Sequence, residues 1–407
     1  MENYSFPIYI DPSEACRILS SLEVGQEVEE IQLRDGLDRI LAEDIYSVLP
    51  LPPFDKSPFD GFSFRATDTP GTLRVVRTIA AGDICGSPLD CGEAVRIFTG
   101  APIPPGADAV IKQENASYKN GFLEIPKSIQ SGVNVIKKGE VTSPGSLLLR
   151  EGKRLTPANL GTIASQGINM ISVYKKPVVS VLSTGTELIH PNAPLAPGKI
   201  YESSSYTIIS YLQHLGFITQ DAGIEKDDIN NIINKVQSCF ENSDLVITTG
   251  GASCGDFDFA RTTAEQLNLK TLFWKLNMKP GGAMLASYRK KKTLLALSGN
   301  PAASVIQLLT VAMPYLKKMC GITEFDNQYI FLPLKEDLPL ICSVTRMLRG
   351  HLEWDGISAV FAENEGRSNL NLSSFDNCNI IGIIPPTKKK IPAGTINRAI
   401  RLSPELN

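Results

Sequence analysis

Two apolar, strand-like runs end in glycine-rich turns that carry hydroxyls and acids: Ser183-Thr-Gly-Thr-Glu-Leu188 and Thr248-Thr-Gly-Gly-Ala-Ser-Cys-Gly-Asp-Phe-Asp258. A third run, Thr293 to Leu297, opens into Ser298-Gly-Asn-Pro301. Glycine lets backbone N–H groups approach an anion closely, hydroxyls add donors, and acids can hold a divalent cation. These turns are therefore expected to converge on one pocket for a phosphorylated ligand. Thr184, Gly185, Gly250, Gly251, Ser253, Gly299, Asn300 and Pro301 are the candidate ligand-contacting residues.

Asp256 and Asp258 have the chemistry to coordinate a hydrated Mg²⁺. Glu187 and Asp227 also follow strand ends and can join the same rim. Structural readings stand beside these: Asp256 as the cap of a helix from Phe257 to Leu267, and Asp227 with Asp228 as another helix N-terminus. Lys275 and Lys279 stand four apart in Phe273-Trp-Lys-Leu-Asn-Met-Lys-Pro-Gly-Gly282, placed either to neutralise an oxyanion or to sit in solvent. Arg289-Lys-Lys-Lys292 and Lys388-Lys-Lys390 lie between strand runs and read as exposed hairpin tips.

The elements that must position these groups alternate. From about 175 to 326, apolar strands at Pro177–Leu182, Phe217–Ile224, Asp244–Thr249, Thr271–Leu276 and Thr293–Leu297 are interleaved with helices at Tyr206–Leu215 and Asp227–Phe240. A last helix begins at Asn300-Pro301 and stops at Gly321. Apolar strands alternating with helices predict a doubly wound, mostly parallel sheet whose ligands sit beyond the carboxyl ends of the strands. Asp11, Pro12 and Glu14 mark the start of an amino-terminal helix, and Gly36–Tyr46 reads as a second one. Leu49-Pro-Leu-Pro-Pro53 is a stiff linker, and short strand runs with a Lys119-Asn-Gly121 hairpin tip fill residues 50–137. A helix around Pro157–Gly167 is expected to pack back on the amino-terminal ones, and the chain after Asp326 is again β, a small barrel or sandwich.

Composition sets bounds. A 407-residue chain with 43% hydrophobic content predicts several domains with proper cores. Its net charge of −3 argues against nucleic acid or anionic lipid as partner. No apolar run reaches the roughly 20 residues that span a bilayer, and the amino end lacks a signal-peptide pattern, so cytoplasm is the expected location. The eight cysteines include no C-x-x-C pair and the three histidines are far apart, so neither a zinc site nor histidine acid–base chemistry is expected.

Taken in order, Phe-Asp-x-Ser-x-x-Asp-Gly-Phe at 54–62, Thr-Gly-Ala-Pro at 99–102, Ser-Gly-x-Asn at 131–134, Ser-Thr-Gly-Thr-Glu-Leu at 183–188, Thr-Thr-Gly-Gly-x-Ser-x-Gly at 248–255, Lys-Pro-Gly at 279–281 and Gly-Asn-Pro at 299–301 span nearly the whole chain. This series resembles molybdopterin molybdenumtransferase, the MoeA and gephyrin E-domain family. The resemblance implies an elongated helical domain from 1–49 and 138–174, an inserted β domain at 50–137, an α/β domain like the molybdopterin adenylyltransferases at 175–326, and a C-terminal β-barrel at 327–407. It implies a homodimer with a cleft shared between subunits, possible partners in a molybdopterin adenylyltransferase and molybdoenzyme apoproteins, and Mg²⁺-assisted conversion of adenylylated molybdopterin and molybdate to molybdenum cofactor and AMP. Position by position, it implies functional roles for Asp60, Thr99, Glu187, Asp227, Asp258, Lys275 and Lys279, with Glu187, Asp227 and Asp258 holding the metal.

Three positions depart from the family pattern. Gly282 and Ala283 stand where Lys-Pro is usual, and Val141 stands where an aspartate follows Gly-Glu. These departures motivate an alternative, a catalytically weakened paralogue that binds or assembles the pterin nucleotide. An adenylyltransferase on the shared α/β domain is a third reading, disfavoured by the motifs outside that domain.

Overall fold

A computed structural model describes residues 5–251, 259–339, 341–364 and 372–402. The chain divides into two compact units, Met1–Glu43 with Glu151–Thr156 and Met170–Asn407, and Asp44–Arg150 with Pro157–Asn169.

The first unit is built on a seven-stranded sheet. In chain order its strands are β1 (Ile8–Ile10), β2 (Val178–Thr184), β3 (Ile218–Glu225), β4 (Leu245–Thr249), β5 (Lys270–Leu276), β6 (Leu285–Arg289) and β7 (Lys292–Leu297). The helices are α1 (Pro12–Ser20), α2 (Ser204–His214), α3 (Ile229–Asn242), α4 (Phe259–Gln266), α5 (Pro301–Gln307) and α6 (Met313–Met319). The order across the sheet is β1-β5-β6-β7-β4-β2-β3. Only β6 runs antiparallel to its neighbours, through a tight turn where Arg289 pairs with Lys292. The other adjacent pairs are parallel.

Strand alternation splits the core between two faces. Leu245 and Ile247 of β4 pack with Ala15, Leu19, Ile208, Leu212 and Val305 of α1, α2 and α5. Val246 packs with Ile232, Val236, Ala260 and Ala264 of α3 and α4 on the other side. From β2 the chain leaves over α2 to the edge strand β3, then returns over α3 to β4 on the opposite side of β2. Because α2 and α3 cover opposite faces, the carboxyl ends of β2 and β4 form the switch point, the place where open α/β sheets bind ligands.

The expected caps form. Asp11 accepts from the Ser13 N–H at 2.8 Å, and Asn300 accepts from the Ala303 N–H at 3.1 Å with Pro301 opening α5. The long last helix is broken between α5 and α6 by a π turn at Leu308–Ala312. Pro314 has no N–H to offer the Thr310 carbonyl, which instead accepts from Asn327 Nδ2 at 2.9 Å.

The expected helix at Gly36–Tyr46 does not form. Asp38 is left-handed at φ 60°, and the N–H groups of Asp38, Leu41 and Ala42 donate to Leu155, Lys153 and Ser172. Chain more than a hundred residues away thus overrides the local helical spacing of Leu37, Ile40 and Leu41. The segments assigned to a helical domain carry two helices, Pro12–Ser20 and Pro157–Ala164, beside two-stranded ladders such as Val28–Gln32 with Met170–Tyr174. The second of these helices falls in the second unit rather than with α1, and there Gln166 Oε1 accepts from the N–H groups of Val48 and Leu49.

Strands Tyr329–Pro333, Thr345–Trp354, Ala359–Glu363, Ile380–Ile384 and Ile396–Arg401 form an antiparallel sheet in the first unit, and a bridge from Leu334 to Phe361 brings its ends together. Met278–Lys279 joins its edge, parallel to Thr345–Arg346. The second unit holds a six-stranded sheet in the order Ala109–Lys112, Gly61–Phe64, Glu93–Ile97, Gly71–Ile79, Phe122–Ile125, Ser117–Lys119. The fold is therefore mixed α/β with several sheets and few helices. Among the described residues, no helix is long and apolar enough to cross a membrane.

Candidate functional site at the strand ends of the first unit

The ends of β2, β4 and β7 interlock. Ser183 Oγ and Thr249 Oγ1 lie 3.0 Å apart, Thr184 Oγ1 donates to the Thr249 carbonyl at 3.3 Å, and the Gly250 N–H donates to the Leu297 carbonyl at 3.1 Å. Gly250 has φ 96°, and a Cβ there would overlap the Thr184 carbonyl oxygen and lie 2.8 Å from Thr184 Oγ1. A Cβ on Gly299 would lie 3.3 Å from the Gly250 Cα. Only residues without side chains allow three loops this close. Turns 183–188, 248–251 and 298–301 thus come together as expected. Ser253, Asp256 and Asp258 lie outside the described residues.

The turn after β2 is tied to the end of β3. Asp227 Oδ2 accepts from the Thr186 N–H at 2.9 Å, Thr186 Oγ1 accepts from the Asp227 N–H at 3.2 Å, and the Gly185 N–H donates to the Glu225 carbonyl at 3.0 Å. Asp227 therefore braces the loop that carries the exposed Glu187, while the neighbouring Asp228 caps α3 by accepting from the Asn231 N–H. The helix-start role read for this acidic pair falls on Asp228 alone, leaving Asp227 on the turn. Glu187 and Asp227 carry carboxylate oxygens, the hard donors of which one or two could hold a Mg²⁺ ion beside retained water. Among the described residues no three His, Cys, Asp or Glu side chains are grouped to hold a metal.

The two lysines differ. Lys279 is exposed and its register partner is Arg346, a second cation brought from the carboxyl-terminal sheet. Lys275 is only 8% exposed, which rules out a solvated surface charge, and its Nζ lies 3.6 Å from the Trp274 ring centroid. The loop between these lysines and β6 is fixed by Gln307, fully buried at 0% exposure. Its Nε2 donates to the carbonyls of Gly281 and Ala283 at 2.8 and 2.7 Å, and its Oε1 accepts from the Ser298 N–H at 2.8 Å.

Gln307 and Glu202 are residues that sequence reasoning missed. Glu202, 3% exposed, accepts from Ser183 Oγ at 3.0 Å and from the Ser205 N–H and Oγ at 2.7 and 2.6 Å. It joins the base of the site to the start of α2. The available signals were Ser304, Gln307 and Thr310 recurring every three residues through an apolar helix, and Glu202 three residues before Ser205.

In the second unit, Asp60 and Thr99 meet where Gly61 pairs with Ile97. Asp60 Oδ1 accepts from both the Thr99 N–H and Oγ1 at 2.8 Å. These two bonds, aided by Arg96, hold the Asp60 carboxyl below its ordinary pKa of 3.8, so it stays ionised. A cavity of about 590 Å³ in the first unit is lined by Lys335, Asp337, His351 and Glu353 of the carboxyl-terminal sheet.

Residues 10–167 match the MoeA N-terminal region (domain I and II), and residues 180–318 match the probable molybdopterin binding domain. The molybdopterin molybdenumtransferase of Staphylococcus aureus is 32% identical over 392 residues, covering 95% of this chain and 94% of that protein. The Bacillus subtilis molybdopterin molybdenumtransferase is 37% identical over 322 residues, 76% of this chain and 74% of its own length. The crystal structure of the molybdopterin biosynthesis MoeA protein from Pyrococcus horikosii superposes with a TM-score of 0.83 at 28% identity, covering 97% of this chain and 99% of that one. With the interlocked turns at the switch point and these matches along nearly its whole length, the chain belongs to the molybdopterin molybdenumtransferase family, a family of transferases of molybdenum cofactor biosynthesis.

Proposed function

We propose that this chain inserts molybdate into adenylylated molybdopterin with the help of Mg²⁺ and releases AMP. The observation that supports this most is the Thr186 turn, whose two hydrogen bonds to Asp227 tie the loop that carries Glu187 to the end of β3. Glu187 and Asp227, with Asp258, are the residues proposed to hold Mg²⁺, which when bound supplies charge neutralisation at the phosphoanhydride. Thr184, Gly185, Gly250, Gly251, Ser253, Gly299, Asn300 and Pro301 are proposed to cradle the pterin phosphate or adenylate through N–H and hydroxyl donors. Lys275 and Lys279 are proposed to offset phosphate or molybdate charge, and Asp60 and Thr99 are proposed as functional residues in their own right. Such chemistry needs positioned charges more than proton shuttles, which suits a chain with three histidines.

The test is direct. Purified protein given adenylylated molybdopterin, molybdate and Mg²⁺ is expected to release AMP and form active cofactor, and release of neither at saturating ligand refutes the proposal.

A second reading, the weakened paralogue, is favoured by two positions. Val141 is 75% exposed, an apolar side chain in water. A Cβ on Gly282 would lie 3.1 Å from the Met278 carbonyl oxygen, so the usual lysine requires that backbone to move by a few tenths of an ångström. Under this reading Gly282→Lys with Val141→Asp raises AMP release from near zero; under the first reading wild-type release is already substantial.

The further proposals are a partition into a helical domain (1–49 and 138–174), a β domain (50–137), an α/β domain (175–326) and a C-terminal barrel (327–407), a homodimer, a cytoplasmic location, and an adenylyltransferase and apoenzymes as protein partners. Equilibrium sedimentation tests the dimer.

A further inference from the structure

Strands β1 and β5 run parallel with Ile8 opposite Trp274 and Ile10 opposite Leu276, so Tyr9 and Lys275 share one register position. Both are left-handed, at φ 56° and 64°. A bulky residue in this region is a strained outlier, and such residues persist where the surroundings over-determine them. Two at one register position make both strands kink together. The kink is held from each side: the Trp274 N–H donates to the Pro7 carbonyl at 3.1 Å, the Asn277 N–H to Ile10 at 2.7 Å, and the Lys275 N–H to Met284 at 2.7 Å. Its consequence is an ammonium between rings, with Lys275 Nζ 3.6 Å from the Trp274 centroid and 5.3 Å from that of Tyr9. Core packing does not account for Tyr9, which is 61% exposed beside a lysine that is 8% exposed.

We propose that Tyr9 is a positioning residue for Lys275: its ring and its share of the kink hold the ammonium partly desolvated and in one orientation, strengthening its pull on an anionic ligand. The inference rests on the reading that Lys275 serves the anion site. A ring face attracts a cation without neutralising it, and a charge in lower dielectric acts more strongly on a phosphate.

The experiment is calorimetric titration of the full chain with AMP as the probe. Tyr9→Phe keeps the ring and is expected to bind within about two-fold of wild type, a cation–π contact needing no hydroxyl. Tyr9→Asn and Tyr9→Gly both accept a left-handed backbone and remove the ring. Either is expected to weaken AMP binding about 3- to 30-fold, and two such variants guard against one failing to fold. In a Lys275→Met background the loss from Tyr9→Asn should vanish, since the residue acts through the lysine. An equal loss in that background overturns the proposal, as does wild-type affinity in Tyr9→Asn while Lys275→Met binds weakly; the latter leaves the functional reading standing. Unchanged AMP affinity in Lys275→Met removes Lys275 from the site and takes this inference with it.

Discussion

The strand-end turns of the first unit and the Asp60–Thr99 corner of the second are built on different principles. In the first, backbone lies against backbone, so each position depends on what is missing, a Cβ at Gly250 or Gly299. In the second, one half-buried carboxylate accepts two hydrogen bonds between strand ends. Substitution should therefore damage folding and binding together in the first unit, and binding alone in the second.

Gly250→Ala is the strongest challenge to that contrast. A methyl group at φ 96° against the Thr184 carbonyl should cost about 3 kcal/mol or more, read as a fall in the first unit's denaturation midpoint together with loss of AMP binding. A stable variant that binds normally would show that the loops are not packed as described. Gln307→Leu should cost about 2–3 kcal/mol, because it leaves the Ser298 N–H and the Gly281 and Ala283 carbonyls without their buried partner. Amide exchange at Ser298 should accelerate in parallel; unchanged exchange would mean another group holds the loop.

Asp60→Ala should leave the denaturation midpoint of the second unit unchanged while slowing AMP release about 10- to 100-fold by misplacing Thr99. Because the folded pKa of Asp60 is depressed, its tether to Thr99 is complete above the ordinary 3.8 and is lost only as pH falls through the lower folded value. The Thr99 amide shift should accordingly be flat from neutral pH down to mild acid, and a midpoint above 3.8 would contradict the pairing. The smallest effect is in thiol labelling. Burial pushes Cys16 and Cys320 up to about 12 and Cys378 to about 11, so none should react with maleimide in mild base. Exposed Cys91 in the second unit, raised by its hydrogen bond to Asp68, should label first of these four with no change in AMP release.

The same contrast governs what the sequence could reveal. Parallel strands buried on both faces read as continuous apolar runs, so β2, β4 and β7 and the turns that end them were legible, as were the Asp11 and Asn300 caps. Elements specified by distant partners were not. Gly36–Tyr46 has helical spacing, yet its N–H groups are taken by residues 153–172. Thr345–Trp354, the strand that pairs with two others at the carboxyl end, carries Arg346, Arg349, Gly350 and His351 where an apolar alternation would have announced it. Gly350 is there because a Cβ would meet the Phe361 ring at 2.6 Å. Tyr9, Glu202 and Gln307 act across gaps in sequence, through register and burial that a single chain does not display.

Hydrogen exchange of the full chain with and without AMP and Mg²⁺ bears most directly on the central claim. Protection concentrated in peptides covering 183–188, 248–258 and 298–301 is the predicted result. Protection absent from those peptides, or confined to the carboxyl-terminal cavity around His351 and Glu353, would contradict the assignment of the strand ends as the nucleotide site.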